Sequence, residues 1–292
     1  MKIAILTFVL CNAVLAAGFG PCTAHDLNGT YAFMANGSVL VPGAPISGPF
    51  SRIGSLVFDG AGKVKASTLA LYNGINFGVE SFPGTYTVTS DCALTLNMLV
   101  PAPIFANVEF KGQVAMGGND LTFMLVNTDN PQAPPITTVV GFGRKRSPFV
   151  NWGPAMSCSS ARLVGHWRVE VNGFRNLPPT GTGTPFRLLG NFDLDGKGGM
   201  TTSMVLSDNG SISSATPPGT YNVASDCSVD LNFSLGDAPF SIRGSIIDAI
   251  NGFAAFNVPG PTVPLTLGPV TIQAVLTGAV GTGSMVRESI QP

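Results

Sequence analysis

Residue types that do chemistry are scarce in this chain. It holds two histidines, His25 and His166, and five cysteines, at 11, 22, 92, 158 and 227. A catalytic dyad needs a base beside its nucleophile, and a zinc site needs several His, Cys or carboxylate ligands. Neither histidine has a histidine counterpart in the internal duplication described below, which excludes a His-based dyad or zinc site in each half. No Gly-x-Ser-x-Gly elbow, P-loop or Gly-x-Gly-x-x-Gly before a helix is present. Carboxylates recur at matched places: Asp91 and Asp226 before a cysteine, Asp59 and Asp195 before a glycine. Acid–base work or calcium binding is one reading of them. The other is turn chemistry, in which the carboxylate takes backbone amides, and the spacing favours it. Asp193-Leu194-Asp195-Gly196 has the look of a calcium loop but lacks the further oxygen ligands and distal Glu. No catalytic residue, metal ligand or cofactor site is therefore assigned. The remaining candidates are aromatics repeated at equivalent positions: Tyr31 and Trp167, Phe50 and Phe186, Tyr86 and Tyr221. Such rings supply large apolar walls with polar handles, as a ligand-binding lumen needs, although they serve equally as core.

The N-terminus has the pattern of an export signal over residues 1–18. Lys2 precedes an apolar run from Ile3 to Leu15, too short to span a membrane, and Ala16, Ala17 and Gly18 suit cleavage. Pro21 before Cys22 does not suit a lipoprotein site. Cleavage removes Cys11 and leaves Cys22, Cys92, Cys158 and Cys227, an even set that reads as two disulfides. The expected location is secreted or extracellular, or periplasmic in a bacterial host. No later apolar stretch is long enough for a membrane span.

Composition narrows the classes further. Of 292 residues, 45% are hydrophobic and only 11% charged, with 36 Gly and 23 Pro and a net charge of -1. The mean hydropathy is +0.33 and the isoelectric point about 6.1. A disordered chain needs charge and lacks apolar residues, so disorder is excluded. A nucleic-acid or anionic-membrane binder needs a basic surface. A helical bundle does not tolerate so many Gly and Pro.

The elements that must position the repeated residues come in two copies. Cys22, Tyr31, Gly54, Asp59-Gly60 and Asn73-Gly74 match Cys158, Trp167, Gly190, Asp195-Gly196 and Asn209-Gly210 at a constant offset. After one lost residue, PGTYTVTSDC at 83–92 matches PGTYNVASDC at 218–227. This gives a first repeat over 22–146, a linker over 147–157 and a second repeat over 158–288. Each copy keeps one Cys before its first strand and one in its Ser-Asp-Cys motif, so the expected pairs are Cys22–Cys92 and Cys158–Cys227. Val229-Asp230-Leu231-Asn232-Phe233-Ser234-Leu235 alternates with period two, the mark of a strand with one wet face. The Asn-Gly and Asp-Gly pairs predict type I′ hairpin turns. Eight or nine strands are expected per copy, with separate strands over 75–81 and 85–90. An all-β fold of two tandem antiparallel up-and-down barrels follows, since closure removes sticky edges; a β-sandwich is the alternative.

The pattern Cys, Gly-x-Tyr, Gly followed by Asp-Gly-x-Gly, then Gly-Thr-Tyr-x-Val-x-x-Asp-Cys resembles a group of small secreted bacterial proteins of unknown function. That resemblance implies export and a calycin-type, lipocalin-like barrel, here duplicated in tandem, and supplies no catalytic residues to carry over. The expected function is non-catalytic binding of a small apolar ligand in each barrel, against Tyr86 or Tyr221. An extracellular structural or surface-interaction role with filled barrels is the alternative. A barrel isomerase or cyclase is third, by fold analogy alone. An open apolar cavity of a few hundred Å³ would favour binding, a fully packed interior without one would overturn it in favour of the structural role, and a buried lumenal acid or base would favour the enzyme. Ala32 and Met34 make strand one of the first copy apolar on both faces, where the second copy has Arg168 and Glu170. They are expected to be covered, by the second barrel or another subunit. Sequons at Asn28, Asn36, Asn209 and Asn232 matter in a eukaryotic host. Arg144-Lys145-Arg146 reads as a solvated strand end, or as a processing site between the barrels.

Overall fold

The computed structural model describes residues 21–40, 45–101, 106–128, 138–146, 158–175, 183–247, 251–256, 262–267, 270–276 and 279–289. The expected signal peptide at 1–18 and linker at 147–157 lie outside the described residues. Alternation sets the inside and outside of each strand. In Ser228–Leu235 the side chains of Val229, Leu231 and Phe233 are buried while Asn232 and Ser234 are exposed. Sheet formation then needs a partner on both sides of every strand, and each copy achieves this by closing on itself.

Strands β1 (Gly29–Val39), β2 (Gly48–Phe58), β3 (Lys63–Tyr72), β4 (Ile75–Val88), β5 (Ala93–Val100), β6 (Ala106–Val114), β7 (Asp120–Thr128) and β8 (Thr138–Lys145) form the first copy. Each pairs antiparallel with the next, and β8 returns to β1, which closes an up-and-down barrel. The second copy comprises β9 (Gly165–Arg175), β10 (Thr184–Leu194), β11 (Gly199–Asp208), β12 (Ser211–Ala215), β13 (Pro218–Val223), β14 (Ser228–Leu235), β15 (Ala238–Ile246), β16 (Asn251–Phe256), β17 (Thr262–Leu267), β18 (Val270–Leu276) and β19 (Ala279–Ser289). Its barrel closes through β19 on β9, with β12 as a branch on β11. The fold is thus two tandem eight-stranded barrels and not a sandwich.

Two local expectations are corrected. The chain over 75–88 is one strand, not two. Pro83 does not break it because at that point β3 is the one paired neighbour: β18 pairs with β4 only at Ile75 and Asn76, and β5 joins from Gly84. A proline at an edge position forfeits no ladder bond. The second copy has Pro217 and Pro218 together, and there the strand does divide into β12 and β13. The turn type also divides. Asn73-Gly74 and Asn209-Gly210 have positive φ at both residues, as a type I′ turn requires. Asp59-Gly60 and Asp195-Gly196 do not, because only the glycine has positive φ. These are longer loops held by the aspartate. Asp59 Oδ1 accepts from the amides of Ala61 (2.7 Å) and Lys63 (2.9 Å). Asp195 Oδ1 accepts from Lys197 (2.7 Å) and Gly199 (2.9 Å).

The barrels pack side by side. The outer faces of β1, β2 and β3 meet β15, β16 and β19 of the second barrel. Ile53 and Leu69 cluster with Ala255 and Phe253, and Leu71 packs on Val280. Ala32 is fully buried on that outer face and Met34 half-buried. Their counterparts Arg168 and Glu170 stay at the surface, paired with Glu288 and Arg187. Apolar side chains on this side of the first copy therefore match a dry contact, and charged ones on the second match a wet face. Arg146 crosses the same contact, donating to Asp226 O (2.7 Å) and Ser245 Oγ (3.0 Å). Burial lowers its pKa to about 10. A second bridge is made by the β17–β18 hairpin, which pairs with β4 through Val275–Asn76 and Leu276–Ile75.

Candidate functional site

Strand direction gives each barrel two unlike ends. At one end the connections are short, and the 3₁₀ turn Ala24–Leu27 or Ser160–Arg162 plugs the opening. The expected disulfides, Cys22–Cys92 and Cys158–Cys227, tie the plugs down. Most of the repeated aromatics serve this end. The Tyr86 hydroxyl donates to Ala24 O (3.0 Å), and Tyr221 does the same to Ser160 O (3.1 Å). Tyr31 donates to Gly118 O, and Trp167 Nε1 to Leu163 O (2.8 Å). Phe58 joins Tyr31 and Tyr86 edge-on at 5.2 and 4.9 Å. Burial raises the pKa of Tyr31, Tyr86 and Tyr221. All four polar tips are thus satisfied by backbone carbonyls, as buried Tyr and Trp require.

The other half of the first barrel is open inside. A cavity of about 90 Å³ runs from Leu56, Ala66 and Leu96 to the strand ends at Val39, Val100 and Thr128. It is smaller than the roughly 150 Å³ apolar cavity known to admit benzene. Of the six aromatics singled out in sequence, Phe50 lines it; Tyr31 and Tyr86 do not. Phe186, the counterpart of Phe50, is buried in the core of the second barrel with Trp167 and Tyr221.

One charged side chain faces this cavity. Arg52 lies on the inward face of β2, surrounded by the rings of Phe50, Tyr72 and Phe82, with its guanidinium 5.0 Å from the Phe82 centroid. Its Nη2 donates to Glu80 Oε2 (2.7 Å) and Tyr72 Oη (2.7 Å). Both members of the ion pair are buried, at 9% and 6% side-chain exposure. A desolvated pair is stable only if its remaining donors and acceptors are met. Here Arg52 Nε, Glu80 Oε1 and Thr68 Oγ1 are buried without a protein partner. Burial raises the Glu80 pKa against the pull of Arg52 and pushes the Tyr72 hydroxyl up to about 12. Sequence reasoning passed over this cluster. The available signal was a mismatch between copies: Arg52, Thr68, Tyr72 and Glu80 stand where the second copy has Leu188, Met204, Asp208 and Ala215.

The second barrel fills the equivalent space. Phe192 and Phe233 replace Leu56 and Met98, and lie 5.9 Å apart, with Phe240 stacked 6.0 Å beyond. Leu188 is fully buried and Met204 nearly so. Where Val39 and Tyr72 line the first cavity, Arg175 and Asp208 form an ion pair, with Nε 2.6 Å from Oδ1. The other cavity described, about 20 Å³, lies between the barrels beside Arg146 and Asp226.

The remaining sequence candidates sit away from the lumen. Asp226 Oδ1 accepts from the Ser228 amide (3.0 Å), and Asp91 bonds the Thr89 hydroxyl. His166 pairs with Asp193 on the outer surface. Both carboxylates of the calcium-like segment are thus engaged, and no metal-binding group of His, Cys, Asp or Glu occurs among the described residues. Arg144 pairs with Asp120 at 2.6 Å, Lys145 Nζ donates to Asp26 O (3.1 Å), and Arg146 is half-buried at the barrel contact. The basic triplet is therefore a solvated strand end only at Arg144. The sequon residues Asn28, Asn36, Asn209 and Asn232 are exposed. No described helix is long and apolar enough to cross a membrane.

No protein-family model and no curated protein matches the sequence. Solved structures that align with most of the chain include a protein of unknown function from Nostoc punctiforme, of the DUF3598 family. It is 11% identical, with 90% of this chain and 96% of that chain covered and a TM-score of 0.27. Kievitone hydratase from Nectria haematococca is 10% identical, with 91% and 90% covered and a TM-score of 0.28. Isotype 1 transferrin binding protein B from Neisseria meningitidis is 10% identical, with 89% and 76% covered and a TM-score of 0.32. None of them bears on what this chain does.

Proposed function

We propose that this is an exported, non-catalytic binding protein whose first barrel takes up one small apolar molecule and whose second barrel is a filled brace. The observation that carries the reading is the apolar cavity of the first barrel, with Arg52 as its one charged wall residue. The expectation of a ligand in each barrel is thereby narrowed to one, because Phe192, Phe233 and the Arg175–Asp208 pair occupy the corresponding space in the second. The cavity falls short of a few hundred Å³, so the ligand is small. Two disulfides and the signal-like N-terminus support export into an oxidising compartment. Native mass spectrometry of the protein purified from its own source tests the stoichiometry. One small molecule per chain is expected; two per chain, or none under any gentle condition, contradicts the reading.

A second reading has one observation in its favour. Glu80 is a buried lumenal acid with a raised pKa, as a proton-transferring isomerase needs. Arg52 lines the cavity and Glu80 does not, so the acid lacks direct reach to a bound molecule. Binding accounts for the same residues without that step.

A further inference from the structure

The contact between the barrels joins two unlike outer faces, and the duplication supplies a second version of each that stays open. We infer that the chain binds a second copy of itself head to tail. The β10–β11 face of one copy seats on the β7–β8 face of the next, as the β2–β3 face seats on β16 and β19 within the chain.

The repeat identifies the first open face. Within the chain, Ile53 of β2 and Leu69 of β3 are buried against Phe253 and Ala255. Their counterparts at the constant offset are Leu189 and Val205. These two are paired directly on β10 and β11, and both are exposed. Ile212, opposite Ser207, extends the same patch onto β12 and is 77% exposed. Among the described strands β12 pairs with β11 alone. Its counterpart, the start of β4, is also taken by β18.

Ladder positions identify the second. Ala255 lies opposite Arg243 of β15 and Thr282 of β19. Met124 lies opposite Lys111 of β6 and Val140 of β8. Phe110-Lys111-Gly112 matches Ile242-Arg243-Gly244 in the repeat, so Met124 stands in the first barrel where Ala255 stands in the second. Met124, Val140 and Phe142 are all exposed. Phe142 lies opposite Met34 of β1, so this patch runs up to the edge of the contact already made.

A lone exposed apolar side chain needs no explanation, but a cluster marks an interaction site. Here two clusters fall where the other copy of the fold makes a buried contact, one on each side of it. That gives each patch the other as its complement, and within one chain both stay exposed. The polar border is present too: Arg187 pairs with Glu170 and Arg168 with Glu288 along β9, beside the Leu189–Val205 patch. A contact between two different faces is heterologous, so it closes into a ring or extends as a chain of copies.

The test is sedimentation velocity of the mature full chain at about 100 µM, where a contact of micromolar affinity is filled. The native protein is expected to sediment as a dimer or larger. Leu189→Lys/Val205→Thr removes one face and Met124→Thr/Val140→Lys the other, and each variant alone should be a monomer. An equimolar mixture of the two should form a mixed dimer, because one intact face of each kind remains. All four positions are solvent-facing, so the urea midpoints should match the native one; the single variants Val205→Thr and Met124→Thr replace any pair that shifts it. A monomeric native protein overturns the proposal. So does a variant that still associates alone, which would mean like faces meet, and so does a mixture that stays monomeric.

Discussion

The two barrels are built from one pattern and differ in what stands inside. Both have the plugged end, the aspartate-held loop and the disulfide, at equivalent residues. Their lumens diverge at a handful of positions. Leu188, Phe192, Met204 and Phe233 fill the second, and the Arg175–Asp208 ion pair spans its unplugged end. Arg52, Leu56 and Met98 line open space in the first, and Arg52, Thr68 and Glu80 carry its unmet polar atoms. Duplication kept the features that hold a barrel closed and released those that determine its contents. A filled lumen is the better choice for stability, since buried ion pairs are often matched or exceeded by apolar residues of similar volume. The first barrel keeps a costly pair, and a ligand is the physical reason offered for it.

The largest expected effect comes from breaking that pair. Glu80→Ala leaves Arg52 charged, buried and unpaired, and should cost about 3–5 kcal/mol in urea unfolding. Arg52→Leu with Glu80→Ala copies the second barrel at both positions and should recover the native stability or exceed it. A double variant as unstable as the single would contradict the account of the pair.

Removing either disulfide as a Cys→Ala pair should cost about 2–4 kcal/mol, because each closes a loop of similar length, with separations of 70 and 69 residues. Equal losses for Cys22/Cys92 and Cys158/Cys227 are expected. A loss confined to one barrel would show that the common scaffold is not equally used.

A smaller effect follows from emptying the second barrel. Phe192→Leu with Phe233→Met restores the residues of the first copy at those places. Each change trades a ring for a smaller side chain, and together they should destabilise by about 1–3 kcal/mol. The variant should gain small-molecule uptake that native barrel two lacks.

The gentlest probe is pH. Burial raises the folded pKa of Glu80, so the folded state holds a proton that the unfolded chain releases. Its contribution favours folding below the ordinary Glu value and is lost as pH rises through the raised one. Stability of the native protein relative to Arg52→Leu/Glu80→Ala should therefore fall as pH climbs through that window. Asp59 and Asp195 act in the opposite sense in both barrels. Backbone amides, from Lys63 and Ala61 on Asp59 and from Lys197 and Gly199 on Asp195, lower their pKa values. The stability they add is present above the ordinary Asp value and is lost as pH falls through the lowered one.

Much of the frame was legible from residues because it is local. Period-two alternation in Val229–Leu235, the Ser-Asp-Cys spacing and the Asn-Gly turns each specify geometry within a few residues. The apolar outer face of β1 was legible too, since Ala32 and Met34 contrast with Arg168 and Glu170. What escaped depends on closure. Whether a repeated aromatic lies at a plug or beside a cavity is decided by which end of the barrel its strand position reaches, and Tyr31 and Phe50 fall at opposite ends. The β17–β18 hairpin lies in a connection longer than the one between β7 and β8, so the duplication gave no sign of its pairing with β4. Arg52 and Glu80 lie 28 residues apart on strands separated by β3, and neither recurs in the other copy. A search for repeated chemistry passes over a site that exists because the repeat was broken.

Crystals of the protein pressurised with xenon give the most direct measurement. Xenon enters dry apolar cavities and marks them without needing the natural ligand. One site is predicted, in the first barrel among Leu56, Ala66, Leu96 and Phe123, with the second barrel empty of xenon. Xenon inside the second barrel, or in neither, would contradict the division of labour between the two.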